Sequence, residues 1–202
     1  MAIPASPSTA LYALGRGVVE IGEWDGTTPP AYPAEFTDVG NVTDFTVTVT
    51  EEIKEHFTTR SGTRLLDKTV IIESGYDLAL TLDEKSLYNL AMFLKGTIVG
   101  NVISANTNLA AEYAVRFTSD NAEGLNEIWA LWRVKLSPDG SLSLISDEWS
   151  EMGFSGSGLA DLTNHPTSPY FDVTLVDPDA TTTTTATPTT TTTATPTTTT
   201  TT

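Results

Sequence analysis

Val42-Thr43-Asp44-Phe45-Thr46-Val47-Thr48-Val49-Thr50 decides the class of fold. Phe45, Val47 and Val49 alternate with Thr46, Thr48 and Thr50, which makes one face apolar and the other hydroxylated. That is the period of a half-buried strand. Outward from it, the same period runs through Tyr76, Leu78, Leu80 and Leu82, through Tyr113, Val115 and Phe117, and through Ile128, Ala130, Trp132, Val134 and Leu136. Weaker strand candidates are Gly17 to Ile21, Thr69 to Glu73, Ser141 to Ile145, Trp149 to Ser155 and Tyr170 to Val176. Turn signals at Glu73-Ser74-Gly75 and Ser137-Pro138-Asp139-Gly140 separate them. Roughly eight or nine strands predict a mainly β fold, a sandwich or a barrel.

One segment departs from period two. In DEKSLYNLAMFLK, residues 83–95, Leu87, Leu90, Ala91 and Leu94 fall at i, i+3, i+4 and i+7 and predict one flanking helix of about three turns. Thr81 with Glu84 offers a capping box, or Asp83 caps directly, and Gly96 follows as a C-cap. The stripe is expected to fill part of the core, because the polar face has too few bases to lie on a membrane. Gly22 to Asp38, with Gly26, Pro29, Pro30 and Pro33, predicts a loop or arm. Between Thr50 and Thr69 stand eighteen residues, EEIKEHFTTRSGTRLLDK, far more than an ordinary hairpin connection needs. This long β-hairpin loop, residues 51–68 with Ser61 and Gly62 at its tip, suits an arm reaching a neighbour better than an enzyme lid.

Residues 1–179 thus read as one β domain, and 180–202 as a Thr/Pro-rich low-complexity tail that repeats TTTTTATP. Such a tail offers no apolar group to offset ordering entropy and would span up to about 70 Å if polyproline-like. It suits O-glycosylation or a passive solubilising role.

Charge narrows the partners. The 202 residues carry 26 acids against 10 bases, a formal charge of −16, so ordinary DNA recognition is not expected. There is no cysteine, hence no disulfide and no thiolate metal site. The N-terminus has neither a basic n-region nor a long apolar h-region, and no stretch approaches a membrane span, which predicts a soluble, leaderless chain. Lys54, Arg60, Arg64 and Lys68 put four of the ten bases within fifteen residues, whereas after Lys135 come eight acids and no base. The basic segment could therefore meet an acidic surface on another copy; solvated surface charge and a high-salt environment are the alternatives.

A search for chemistry yields no catalytic, cofactor or metal site. His56 and His165 are not at metal-ligand spacing. Ser155-Gly156-Ser157-Gly158 lacks the strand–turn–helix context of a nucleophile elbow, and no phosphate-binding loop is present. The pairs Glu51-Glu52, Asp83-Glu84 and Asp147-Glu148 point to opposite faces if on strands. Asp177-Pro178-Asp179 is a weak calcium signal. Trp129 and Trp132 alternate across their strand, and Leu131 shares the face of Trp129, so both faces of that strand should be covered.

Taken together, Gly40 before the strand VTDFTVTVTEE, the long charged hairpin, the strands leading into LTLDEKSLYNLAMFL, and WSEMGFSGSGLAD resemble the major tail tube protein of long-tailed bacterial or archaeal viruses. The likeness runs over most of residues 36–175. It implies a non-enzymatic β-sandwich with a flanking helix whose inner sheet joins those of five other copies as a hexameric β-barrel. Rings of this kind stack into a tube through which the genome passes during ejection. By position, the hairpin would link successive rings through Lys54, Arg60, Gly62, Arg64 and Lys68. The lumen would be lined by acids that repel DNA, with Asp44, Asp77 and Glu112 as first candidates. Residues 22–38 and the N-terminus would make inter-subunit contacts, and the Thr tail would project outward. The implied partners are further copies, tape-measure, tail-terminator and distal-tail proteins, and DNA only in transit, with no membrane and no cofactor. The implied location is the virion tail, assembled in the host cytoplasm. Competing readings are a secreted carbohydrate-binding β-sandwich with a Thr/Pro linker, and another virion ring protein such as a tail terminator or decoration protein.

Overall fold

A computed structural model describes residues 12–60, 62–121 and 124–176. The Thr/Pro tail, the N-terminal segment to residue 11, Ser61 and Asp177-Pro178-Asp179 lie outside the described residues. In chain order the elements are β1 (Gly17–Glu23), β2 (Thr37–Asp38), β3 (Val42–Thr58), β4 (Leu65–Leu82), α1 (Leu87–Phe93) and β5 (Thr97–Val99). They continue with β6 (Val102–Ser104), β7 (Tyr113–Ser119), β8 (Asn126–Asp139), β9 (Met152–Gly158) and β10 (Phe171–Val176). The fold is mainly β with one short helix. Eight strands form one antiparallel sheet in the order β2-β1-β7-β8-β9-β4-β3, with β10 also paired to β8, while β5 and β6 make a separate hairpin.

β8 organises the sheet because it changes partner along its length. Its first half, Asn126 to Leu131, pairs with β10; its second half, Val134 to Asp139, pairs with β9. At the changeover the register against β7 slips: Leu131 faces Val115 but Val134 faces Tyr113. Trp132 and Arg133 occupy this bulge, which is a device for bending a strand and re-aiming side chains. Leu131 and Val134 are both fully buried although they differ in parity. The alternation expected from Ile128 to Leu136 therefore holds only on either side of the bulge.

The core follows from the alternation of the paired strands. Leu78, Leu80 and Leu82 of β4 lie opposite Gly156, Phe154 and Met152 of β9, and all the apolar members are buried. Val19, Ile21, Val115, Leu131, Val134 and Leu136 complete the cluster. Each such side chain contributes roughly 1.5–3 kcal/mol by leaving water. Phe45 of β3 stacks on Phe117 of β7 at 5.4 Å between ring centroids, so strands distant in the sheet order meet through their inward faces.

Several sequence expectations need correction. Glu73-Ser74-Gly75 makes no turn: these residues face Glu52, Glu51 and Thr50 inside one continuous 18-residue β4. Ser137, Pro138 and Asp139 are paired with β9, and the turn begins only at Gly140, where φ is +82°. Ser141 to Ile145 forms no strand; Leu144 and Ile145 project into solvent instead. The β5–β6 hairpin was not anticipated.

The helix is shorter than residues 83–95 and starts later. Leu82 is still paired with Val42, and Asn41 Nδ2 donates to the Asp83 carboxylate at 2.6 Å, which occupies the proposed cap. Ser86 caps the helix, its hydroxyl accepting from the Asn89 amide at 3.1 Å. At the other end Lys95 takes the left-handed conformation, and the Lys95 and Gly96 amides return to the Met92 and Ala91 carbonyls as in a Schellman motif. The buried residues are Asn89, Ala91 and Met92, whereas Leu87 and Leu94 are more than a third exposed. The stripe is thus rotated from the one expected. Asn89 is tolerated inside because its amide donates to the Val39 and Glu84 carbonyls, both at 2.8 Å.

Residues 22–38 are not a detached arm. Gly22 and Glu23 complete β1, Trp24 is buried and donates to the Trp132 carbonyl, and the chain returns so that Thr37 and Asp38 pair with Ile21 and Glu20.

Candidate assembly surfaces

Alternation gives the β8–β9–β4–β3 half of the sheet a second face, opposite the core. Thr46, Thr48 and Thr50 of β3 sit there beside Ala79, Asp77 and Gly75 of β4, then Ser155 and Ser157 of β9 and Lys135 and Ser137 of β8. These side chains line a shallow depression rather than an enclosed cavity. Asp77 accepts from Ser157 Oγ at 2.9 Å. Asp44 lies opposite Thr81 and so shares this face with Asp77. Asp139, Glu52 and Glu73 extend it, giving five acids; the bases at this face are Lys135, Lys95, whose Nζ donates to Ser137 Oγ at 3.1 Å, and, beyond Glu52, Lys54. Glu52 and Glu73 are directly opposite one another.

Glu112 does not belong to this group. It precedes β7 instead of lying on a strand, and its carboxylate accepts from Arg133 Nε at 2.5 Å. That bond holds the guanidinium pKa above its ordinary value. Arg133 also lies over the Trp24 ring at 5.3 Å. The pair fixes the outward side of the β8 bulge.

The segment 51–68 is a two-stranded ribbon. Pairing continues from Glu51 opposite Ser74 to Thr58 opposite Leu65, about 26 Å of strand beyond the core. The predicted contact residues divide. Lys54 and Lys68 are inside the ladder, near His56, which faces Lys68 and pairs with Asp67 at 2.5 Å. Arg60, Gly62 and Arg64 belong to the connection; Gly62 has φ +66°, and Arg64 covers the Phe57 ring at 4.9 Å.

Sequence reasoning noticed the charges here and missed the apolar surface. Ile53 faces Ile71 and Phe57 faces Leu66 on the face that also carries Val49. Val49, Ile53, Leu66 and Ile71 on this face are 50–63% exposed, and Leu65 and Val70, opposite Thr58 and Lys54, are exposed on the other. The signal was legible as Val70-Ile71-Ile72, an apolar run too long for a purely solvated arm.

A second exposed apolar set lies on the loop 140–151 between β8 and β9. Leu144, Ile145 and Trp149 are 83%, 96% and 94% exposed. The loop is anchored: Leu142 packs on the core, and Ser143 O accepts from Lys85 Nζ and Ser150 Oγ. The other tryptophans are engaged. Trp129 stacks on Phe171, and Trp132 lies parallel to His165 at 3.7 Å while donating to the Ser168 carbonyl. Both faces of β8 are therefore covered at these positions. Among the described residues no group of three His, Asp or Glu is placed to hold a metal ion.

These features define a mainly β protein built on one bent antiparallel sheet with a projecting ribbon. A family model described as "Protein of unknown function UCP028589" matches residues 12–102 and 98–174, so the chain belongs to that family. No curated protein matches it.

Proposed function

We propose that the protein is a structural subunit of a viral tail tube, not an enzyme. The observation that carries the reading is the sheet half that ends in β3. Among the described residues this 17-residue strand pairs with β4 alone and has no partner on its other edge, beneath a face of small polar and acidic side chains. A long open edge is a template for pairing with another chain. In this reading the sheet folds over at β8 as a β-sandwich, the β3 edge joins a neighbouring copy, and six copies close a ring as a continuous β-barrel. The Asp44 and Asp77 face then lines the lumen, where negative charge repels DNA phosphate and lets the genome slide. The ribbon 51–68 reaches the next ring. Tape-measure, terminator and distal-tail proteins would be the further partners, in a virion tail assembled in the host cytoplasm.

The test is electron microscopy of the purified protein across concentration and salt. Hollow tubes or six-fold rings are expected. A protein that stays monomeric under every condition speaks against the reading.

A further inference from the structure

The ribbon tip and the β8–β9 loop lie at opposite ends of one sheet. β4 begins at Leu65 beside the tip and ends at Leu82, which pairs with Met152 where the loop finishes; Asp139, where it starts, faces Gly153 of the same end. About 55 Å of strand separates them. Their surfaces are complementary. The tip, residues 57–66, offers Phe57, Leu65 and Leu66 with Arg60 and Arg64 and no acid. The loop offers Leu144, Ile145 and Trp149 with Asp147, Glu148 and Glu151 and no base of its own, Lys85 being the one base bonded to it.

We infer that the ribbon tip of one copy docks on the 140–151 loop of the next copy. Within one chain the two cannot meet, because a paired strand holds them apart. Between chains the contact is heterologous, and repeating it extends a line of subunits without a natural stop. Exposed Trp149 is the anchor, Phe57 and Leu66, which share one face of the ribbon, cover it, and the arginines meet the loop acids at the rim. The inference rests on the tube reading and names the surface that receives the ribbon.

The cysteine-free chain permits a direct test. Arg64→Cys with Ile145→Cys in one chain, both exposed positions, should give on oxidation a ladder longer than dimers on a non-reducing gel. Either substitution alone should give none. Dimers from Ile145→Cys alone would mean that loop meets loop and would overturn the inference. Tubes in the microscope without the ladder would leave the tube reading intact and this contact wrong; absence of both tubes and ladder would sink both. Independently, Arg60→Glu with Arg64→Glu should raise the critical concentration for polymerisation about tenfold, and adding Asp147→Lys with Glu148→Lys should restore it. Loss without restoration, in variants with unchanged circular dichroism, contradicts the pairing.

Discussion

Gly158 lies against the ring of Tyr76, so close that a Cβ at 158 would stand 2.0 Å from Tyr76 Cε1. The ring is buried and is hemmed in on other sides by edge contacts from Tyr170 and Phe171 at 6.0 and 5.2 Å. It has nowhere to retreat. Gly158→Ala should therefore destabilise the fold by about 1–3 kcal/mol through overpacking. Urea unfolding followed by tryptophan fluorescence checks this, and an unchanged midpoint would show that the β9 end yields freely.

Glu52 and Glu73 face one another across β3 and β4. Like charges placed so repel, and Glu73→Gln should stabilise the monomer by about 0.2–1 kcal/mol at low salt. The gain should shrink as ionic strength rises. A gain independent of salt would point to a cause other than charge.

Removing one partner of the Glu112–Arg133 pair leaves a partly buried guanidinium beside Trp24 without its acceptor. Glu112→Ala should cost about 1–3 kcal/mol. Thermal melts give the size, and Trp24 emission should change with it. A neutral result would mean that water replaces the carboxylate.

Burial raises the Tyr76 and Tyr88 phenols well above their ordinary value, and burial with the nearby Glu23 charge pushes Tyr113 up to about 12. The folded state therefore holds these protons more tightly than the unfolded chain does. Their contribution is complete below pH 10.0, the unreacted phenol value, and drains as pH rises through the folded values. Phenolate absorbance should appear together with loss of near-ultraviolet dichroism in an alkaline titration. Ionisation of these three without unfolding would refute the linkage.

How much of this was legible depends on where a local pattern met a tertiary constraint. Phe45, Thr46, Val47 and Thr48 declared their faces because this part of β3 lies on a core along one side only, so period two was enough. The phase slip at Trp132 and Arg133 was hidden, because nothing local distinguishes a bulge from continued alternation; the partner change from β10 to β9 creates it. Glu73-Ser74-Gly75 reads as a turn by composition, yet pairing with Thr50, Glu51 and Glu52 holds it extended. Ser86 caps the helix in place of Asp83, whose carboxylate Asn41 claims from forty-two residues away, a contact no local pattern shows. The β5–β6 hairpin was readable in Thr97-Ile98-Val99-Gly100-Asn101-Val102-Ile103-Ser104, a Gly-Asn turn between β-branched runs. That Asp44 and Asp77 share a face follows from the β3–β4 register, which the sequence does not show, and Glu112 falls off the strand because β7 begins one residue after it.

The partner change in β8 also orders events in time. β8 needs β7 before it and both β9 and β10 after it, so the central sheet cannot close until residue 176 has been synthesised. β3 and β4 are sequence neighbours and can zip as soon as Leu82 is made. The ribbon then precedes the core, and its apolar face is displayed while the rest of the chain is still searching. Pulsed hydrogen exchange during refolding should protect the β3–β4 ladder before β8. A nascent chain that shows an apolar face first exposes it to other chains early, and the rate of core closure then sets the window in which premature association competes with folding.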